Sequence, residues 1–88
     1  MNVVFRASFT RDLKKVKDRE ILGGVRKAIE RAEAARGVVE IGGLKKLSGA
    51  VEFYRIRVGD YRIGVAVDGD TIEFVRCLNR RDLYKYFP

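Results

Sequence analysis

The chain has 88 residues with 19 Lys and Arg against 12 Asp and Glu, a formal charge of +7, no histidine and one cysteine. That length supports one small domain over residues 1–88, and the charge asks for an acidic partner: nucleic acid, acidic protein or membrane surface. Missing histidine and a lone Cys77 exclude the usual general base, most zinc chemistry and an internal disulfide. No apolar run nears the roughly 20 residues of a membrane span, and Met1–Thr10 lacks a signal pattern, so a cytoplasmic protein without metal or cofactor is expected.

Asn2 to Arg6, with Val3, Val4 and Phe5, reads as a first strand. Ser8 or Thr10 is a candidate cap for a first helix in which Phe9, Leu13 and Val16 recur at i, i+4 and i+7. Asp18 is the candidate cap of a second helix running to about Arg36, with Ile21, Leu22, Val25, Ala28, Ile29 and Ala32 as its apolar stripe and Gly37 as its stop. A glycine-containing connection, Val38 to Val51, follows. Its centre, Leu44-Lys45-Lys46-Leu47, either pairs briefly or anchors the loop. Three strands close the pattern, at about Phe53–Val58, Tyr61–Val67 and Thr71–Leu78, with the second turn at Asp68-Gly69-Asp70. The order predicts an α+β sandwich: an N-terminal strand, a two-helix hairpin and a three-strand antiparallel meander. The helices pack on one sheet face, and the other face is open.

The most informative stretch is Tyr54-Arg55-Ile56-Arg57-Val58-Gly59-Asp60-Tyr61-Arg62-Ile63. Strict alternation on both sides of a Gly-Asp pair is a hairpin with a two-residue turn. Val58 then faces Tyr61, Arg57 faces Arg62, and Ile56 faces Ile63. Tyr54, Ile56, Val58, Tyr61 and Ile63 share the core face, where the tyrosines serve packing. Arg55, Arg57 and Arg62 share the other. Like charges placed across a hairpin repel, so three arginines there call for solvent screening or an anion, with phosphate the obvious candidate. On the same face the pattern places Gly64, Ala66, Glu73, Val75, Cys77 and Asn79. Gly64 lies across from Arg55 and leaves a shallow surface for a ligand backbone. Parity puts Arg76 on the core face, an awkward position that requires the sheet rim.

Taken with Leu44-Lys45-Lys46-Leu47-Ser48-Gly49 before it and Asn79-Arg80-Arg81-Asp82-Leu83-Tyr84 after it, this stretch resembles the RelE/ParE superfamily of toxins from type II toxin–antitoxin systems over nearly the whole chain. The resemblance implies a RelE-like fold. In the RelE branch it implies ribosome-dependent cleavage of messenger RNA, by attack of a 2′-hydroxyl on the adjacent phosphate. By position, it implies catalytic roles for Arg57, Arg62, Arg80 and Tyr84. It further implies RNA binding by Arg55, Lys45, Lys46, Asn79, Arg81 and Tyr86, and Tyr86 shares with Tyr84 the position of the family's C-terminal tyrosine. Many relatives carry a histidine where this chain has Asn79, and others carry hairpin lysines where it has arginines. Both departures point to weakened cleavage, since arginine stays protonated and makes a poor base. The implied partners are ribosome, message and an acidic antitoxin bound as a hetero-oligomer.

Such cleavage needs the phosphate held in line, its developing charge neutralised and protons moved. Arg55, Arg57, Arg62 and Arg80 suit the first two tasks, with forked donors matched to phosphate oxygens. Tyr84 is a candidate acid or stacking platform, and Glu40 and Glu52 are more remote base candidates. An alternating arginine face is also what a merely solvated strand shows. The alternatives are a noncatalytic ParE-like inhibitor of DNA gyrase and a degenerate toxin that only binds its antitoxin.

Overall fold

A computed structural model describes residues 1–47 and 52–88 of the chain; Ser48, Gly49, Ala50 and Val51, which belong to the connection read above, lie outside the described residues. Strand β1 (Asn2–Phe5) leads into helix α1 (Ala7–Lys14) and helix α2 (Arg19–Ala34). A short 3-10 turn over Val38–Glu40 precedes β2 (Leu44–Lys46), β3 (Glu52–Val58), β4 (Tyr61–Asp68), β5 (Thr71–Asn79) and a last helix, α3 (Arg80–Tyr86). The five strands form one sheet in the order β1-β5-β4-β3-β2, with β1 parallel to β5 and the other pairs antiparallel. The expected hairpin register holds: Val58 faces Tyr61, Arg57 faces Arg62 and Ile56 faces Ile63, and Gly59 takes the left-handed φ of 56° that the turn demands. Leu44-Lys45-Lys46 does pair, as the edge strand beside β3. No described helix is long and apolar enough to cross a membrane.

Asp18 caps α2 as expected, its side chain accepting from the backbone N–H groups of Glu20 and Ile21 at 2.9 and 3.4 Å. The other predicted helix signals fail. Helix α1 begins at Ala7 with no side-chain cap, because the chain leaves β1 and turns at once at Arg6. Ser8 instead donates its hydroxyl to the carbonyl of Val75 at 2.6 Å, binding α1 to β5. Helix α2 stops at Ala34, before Arg36, and Gly37 is extended at φ −166° rather than left-handed. Burial of Ala35 and Ile41 draws the chain off the helix early.

The main core lies between the two helices and one sheet face, where Phe9, Val25, Ala28 and Ala32 meet Ile63, Val65, Ile72 and Phe74. Leu22, expected in the stripe, is exposed at its margin. A β-bulge moves the predicted parity of β5. Gly64 pairs with Arg76 while Val65 pairs with Phe74, so Val75 is the extra residue. Beyond the bulge Cys77 faces Ile63 and enters the main core, where the unbulged pattern placed it on the opposite face. The same bulge releases Arg76 from the core. Its Nε and Nη2 donate to the two carboxylate oxygens of Asp12 on α1 at 2.7 and 3.1 Å, and Asp12 also accepts from the N–H of Cys77. This pairing holds Arg76 firmly protonated, chiefly through the hydrogen bonds to Asp12.

The second sheet face is not open throughout. Helix α3 folds back across it, and Leu83 and Phe87 join Val75 in a second small core flanked by Leu47, Phe53, Ala66 and Leu78. Gly64 therefore receives no ligand. A Cβ there would sit 2.7 Å from the Phe87 ring, which fills the space the glycine leaves.

Candidate active site

The β3–β4 hairpin supplies the cations. Strand pairing sets Lys45 beside Arg55 in one row and Arg57 beside Arg62 in the next. Lys46 pairs with Tyr54 and has the opposite parity, exposed at the sheet edge. Arg57 is exposed, whereas Arg62 is 8% exposed and turns its guanidinium back on its own hairpin. Its Nη1 donates to the carbonyls of Gly59 and Tyr61 at 2.8 and 2.9 Å, clasping the turn.

The same turn positions α3. The carbonyl of Asp60 accepts from the N–H of Arg80 at 2.8 Å, and the Asn79 side chain caps the helix by accepting from the N–H of Arg81. Arg80 and Arg81 are exposed in the first turn, and Tyr84 follows Arg80 by four residues, so those two share a helix face. Tyr84 is 59% exposed. Tyr86 lies about 200° further round the helix, with the Arg76 guanidinium over its ring at 5.5 Å. The structure thus brings Tyr84, rather than Tyr86, toward the hairpin arginines.

Electrostatics tie these groups together. The Arg62 guanidinium is held below the ordinary arginine value, first by burial and then by the charges of Arg55 and Arg57; Arg80 adds to the effect and Tyr84 opposes it. Among the described residues no carboxylate stands within ion-pair distance of any of the four arginines. The Nε of Arg55 is buried without a hydrogen-bond partner. A crowd of like charges without counter-carboxylates is suited to an anion with several oxygens. The two remote base candidates are elsewhere. Glu40 accepts from the N–H of Arg36. Glu52 pairs with Val67, five residues along β3 from Arg57, about 17 Å at the rise of a strand.

Sequence reasoning missed two features. One is the turn-clasping role of Arg62, which no pattern signals. The other is the Asp12–Arg76 pair, for which a signal existed: Asp12 falls on the same helix stripe as Phe9 and Val16, an acidic residue where an apolar one is expected.

A small mixed sheet with two helices on one face, and a cationic hairpin beside a C-terminal tyrosine helix on the other, defines a RelE/ParE-type toxin. The family model for the ParE toxin of the type II toxin–antitoxin system parDE matches residues 3–84. The chain is also 42% identical to Toxin RelE3 of Methanocaldococcus jannaschii, over the full length of both. It belongs to this family and is a toxin of the RelE type from a type II toxin–antitoxin system. Its fold superposes on the RelB–RelE antitoxin–toxin complex from Methanococcus jannaschii with a TM-score of 0.81 at 40% identity, covering 97% of this chain and 99% of that one. The archaeal RelE–RelB complex from Pyrococcus horikoshii OT3 shares the fold at 20% identity and a TM-score of 0.73, over 90% and 93% of the two chains.

Proposed function

We propose that this toxin is a ribosome-dependent endoribonuclease that cuts messenger RNA by 2′-hydroxyl attack. The observation that carries the reading is the gathering of Arg55, Arg57, Arg62, Arg80 and Tyr84 at one end of the sheet with, among the described residues, no carboxylate within ion-pair distance of the arginines. The 2′-oxygen forms a bond to the adjacent phosphorus, the bond to the 5′-oxygen breaks, and a 2′,3′-cyclic phosphate remains. Arg57 and Arg80, both exposed, hold the nonbridging oxygens. Arg62 keeps the hairpin in shape and adds positive potential beneath them. Preorganised charge of this kind favours the transition state over the ground state, because the phosphorane bears more negative charge on those oxygens. Tyr84 gives the leaving 5′-oxygen its proton. With no histidine in the chain, the proton of the 2′-hydroxyl leaves to the ribosome-bound surroundings, and slow cleavage follows.

Arg55, Lys45, Asn79 and Arg81 make up the surrounding RNA-binding surface in this reading, with Lys45 and Arg55 nearest the cluster, while Lys46, of opposite parity, and Tyr86, beneath the Arg76 guanidinium, fall outside it. The solved relatives are complexes with RelB antitoxins. An acidic antitoxin that places carboxylates on the arginine cluster would silence this chain in the same way, as a hetero-oligomer.

The test is primer extension on a translated message after brief expression of the toxin. New 5′ ends inside codons, lost in Arg57→Ala and Tyr84→Phe, are the expected result. Growth arrest with intact message would overturn it. The family model is that of ParE toxins, so such an outcome moves the target to DNA gyrase, and DNA damage becomes the readout. No arrest at all would leave a chain that only binds its antitoxin.

A further inference from the structure

A groove of about 290 Å³ runs between α2 and the turn end of β3, lined by Gly24, Lys27, Ala28 and Arg31 on the helix and by Arg57 and Gly59 on the hairpin. Its helix residues recur at i, i+3, i+4 and i+7, so they form a single face. Gly24 lets the helix come close: a Cβ there would lie 2.5 Å from Cγ1 of Val58. Strand β2 pairs with β3 only as far as Ile56, which leaves Arg57 at an uncovered sheet edge. Arg57 therefore stands between two surfaces, with the arginine cluster on one side and this groove on the other.

Lys27, Arg31 and Arg57 line the groove against the single carboxylate of Glu20. Lys27 and Arg31 are a like-charge pair one helical turn apart, a spacing that costs stability. Both are exposed, and among the described residues neither has a carboxylate within ion-pair distance, although Glu20 stands at one mouth of the groove. At about 290 Å³ the groove has room for a stretch of single-strand backbone and not for a duplex. We infer that the message strand, on leaving the arginine cluster, crosses the β3 edge at Arg57 and lays successive phosphates on Lys27 and Arg31. The inference deepens the ribonuclease reading and rests on it.

The probes are 2′-O-methyl RNA oligonucleotides, which lack the attacking hydroxyl, so binding is read apart from cutting. Fluorescence anisotropy across a salt series compares a dinucleotide, which fits the arginine cluster alone, with an octanucleotide, which overruns it. Lys27→Gln/Arg31→Gln should weaken octanucleotide binding and lower its salt slope by about 1.4, the loss expected for two single-strand phosphate contacts. The dinucleotide should be unaffected. Lys14→Gln/Lys17→Gln, which removes the same charge from another surface, should change the slope far less. An equal effect of the two double variants, or none from Lys27→Gln/Arg31→Gln, overturns the path. So does unchanged oligonucleotide binding with reduced co-sedimentation on ribosomes, which would assign the groove to ribosomal RNA. Those results leave the ribonuclease reading standing. A wild-type toxin that neither binds the octanucleotide nor cuts message removes both.

Discussion

Replacing Gly64 by alanine adds one methyl group to the centre of the second sheet face, and the structure says where it goes. The new Cβ would lie 2.7 Å from Cγ and Cδ2 of Phe87 and 2.8 Å from Cδ1, well inside the roughly 3.5–4.0 Å at which carbon atoms attract. The ring has no room to slide, since it is 4% exposed and stands edge-on to Phe53 with centroids 5.4 Å apart. Either β4 shifts or Phe87 leaves. Overfilling a packed site costs about 1–3 kcal/mol, and exposing a phenylalanine costs about 1.5–3 kcal/mol. The cheaper route sets the result, so a loss of about 2 kcal/mol is expected. For a domain of this size that is a drop of about 8–16 °C in melting temperature. The decisive measurement is a double-mutant cycle by urea unfolding. Phe87→Ala empties the site, so Gly64→Ala in that background should cost almost nothing, giving a coupling of about 2 kcal/mol. Simple addition of the two single costs would refute the reasoning, because it would mean that the methyl group and the ring never met. Displacing Phe87 should also loosen α3 and so slow the proposed cleavage through Tyr84.

Other perturbations separate the roles of Asp12, Cys77, Arg62 and Arg57. Asp12→Asn leaves the Arg76 guanidinium without its carboxylate, and urea unfolding should register a loss of about 3 kcal/mol, the low end for breaking a buried pair because Arg76 keeps partial solvent access. A cost below that of a surface ion pair would contradict the bridge between α1 and β5. Burial pushes the Cys77 thiol up to about 12, whereas in the unfolded chain it ionises near about 8.5. The folded state then keeps a proton that the unfolded chain releases, so this contribution is full below the unfolded value and falls by about 1.4 kcal/mol per pH unit above it. Cys77→Ala should flatten that alkaline loss relative to wild type, and native Cys77 should resist alkylation until the chain unfolds. Arg62→Ala removes the donor from the carbonyls of Gly59 and Tyr61, and should lower stability by about 1–2 kcal/mol as well as abolish cutting. Arg57→Ala should abolish cutting with unchanged urea unfolding, since its guanidinium is exposed.

The legible parts of this protein were those in which one residue's environment depends on its near neighbours. Alternation around Gly59-Asp60 fixed a hairpin register that the structure reproduces pair for pair, because a two-residue turn leaves the strands one way to meet. Asp18 announced the start of α2 through a capping bond that spans three residues. Side-chain types on the hairpin also announced the cationic surface and, with the Arg80–Tyr84 ending, the family. What the sequence alone left undecided depends on contacts between distant segments. The bulge at Val75 reverses the facing of Cys77 and frees Arg76, and its site is set by how β5 meets both β4 and α1. Gly64 read as a floor for a ligand until α3 returned with Phe87 to cover it. Arg62 read as an exposed phosphate ligand, yet its guanidinium spends part of its donors on the turn that holds Arg57 and Arg80 in place. Local spacing governs which face a strand residue takes. Which of those faces stays free for chemistry is settled only when the far end of the chain packs against it.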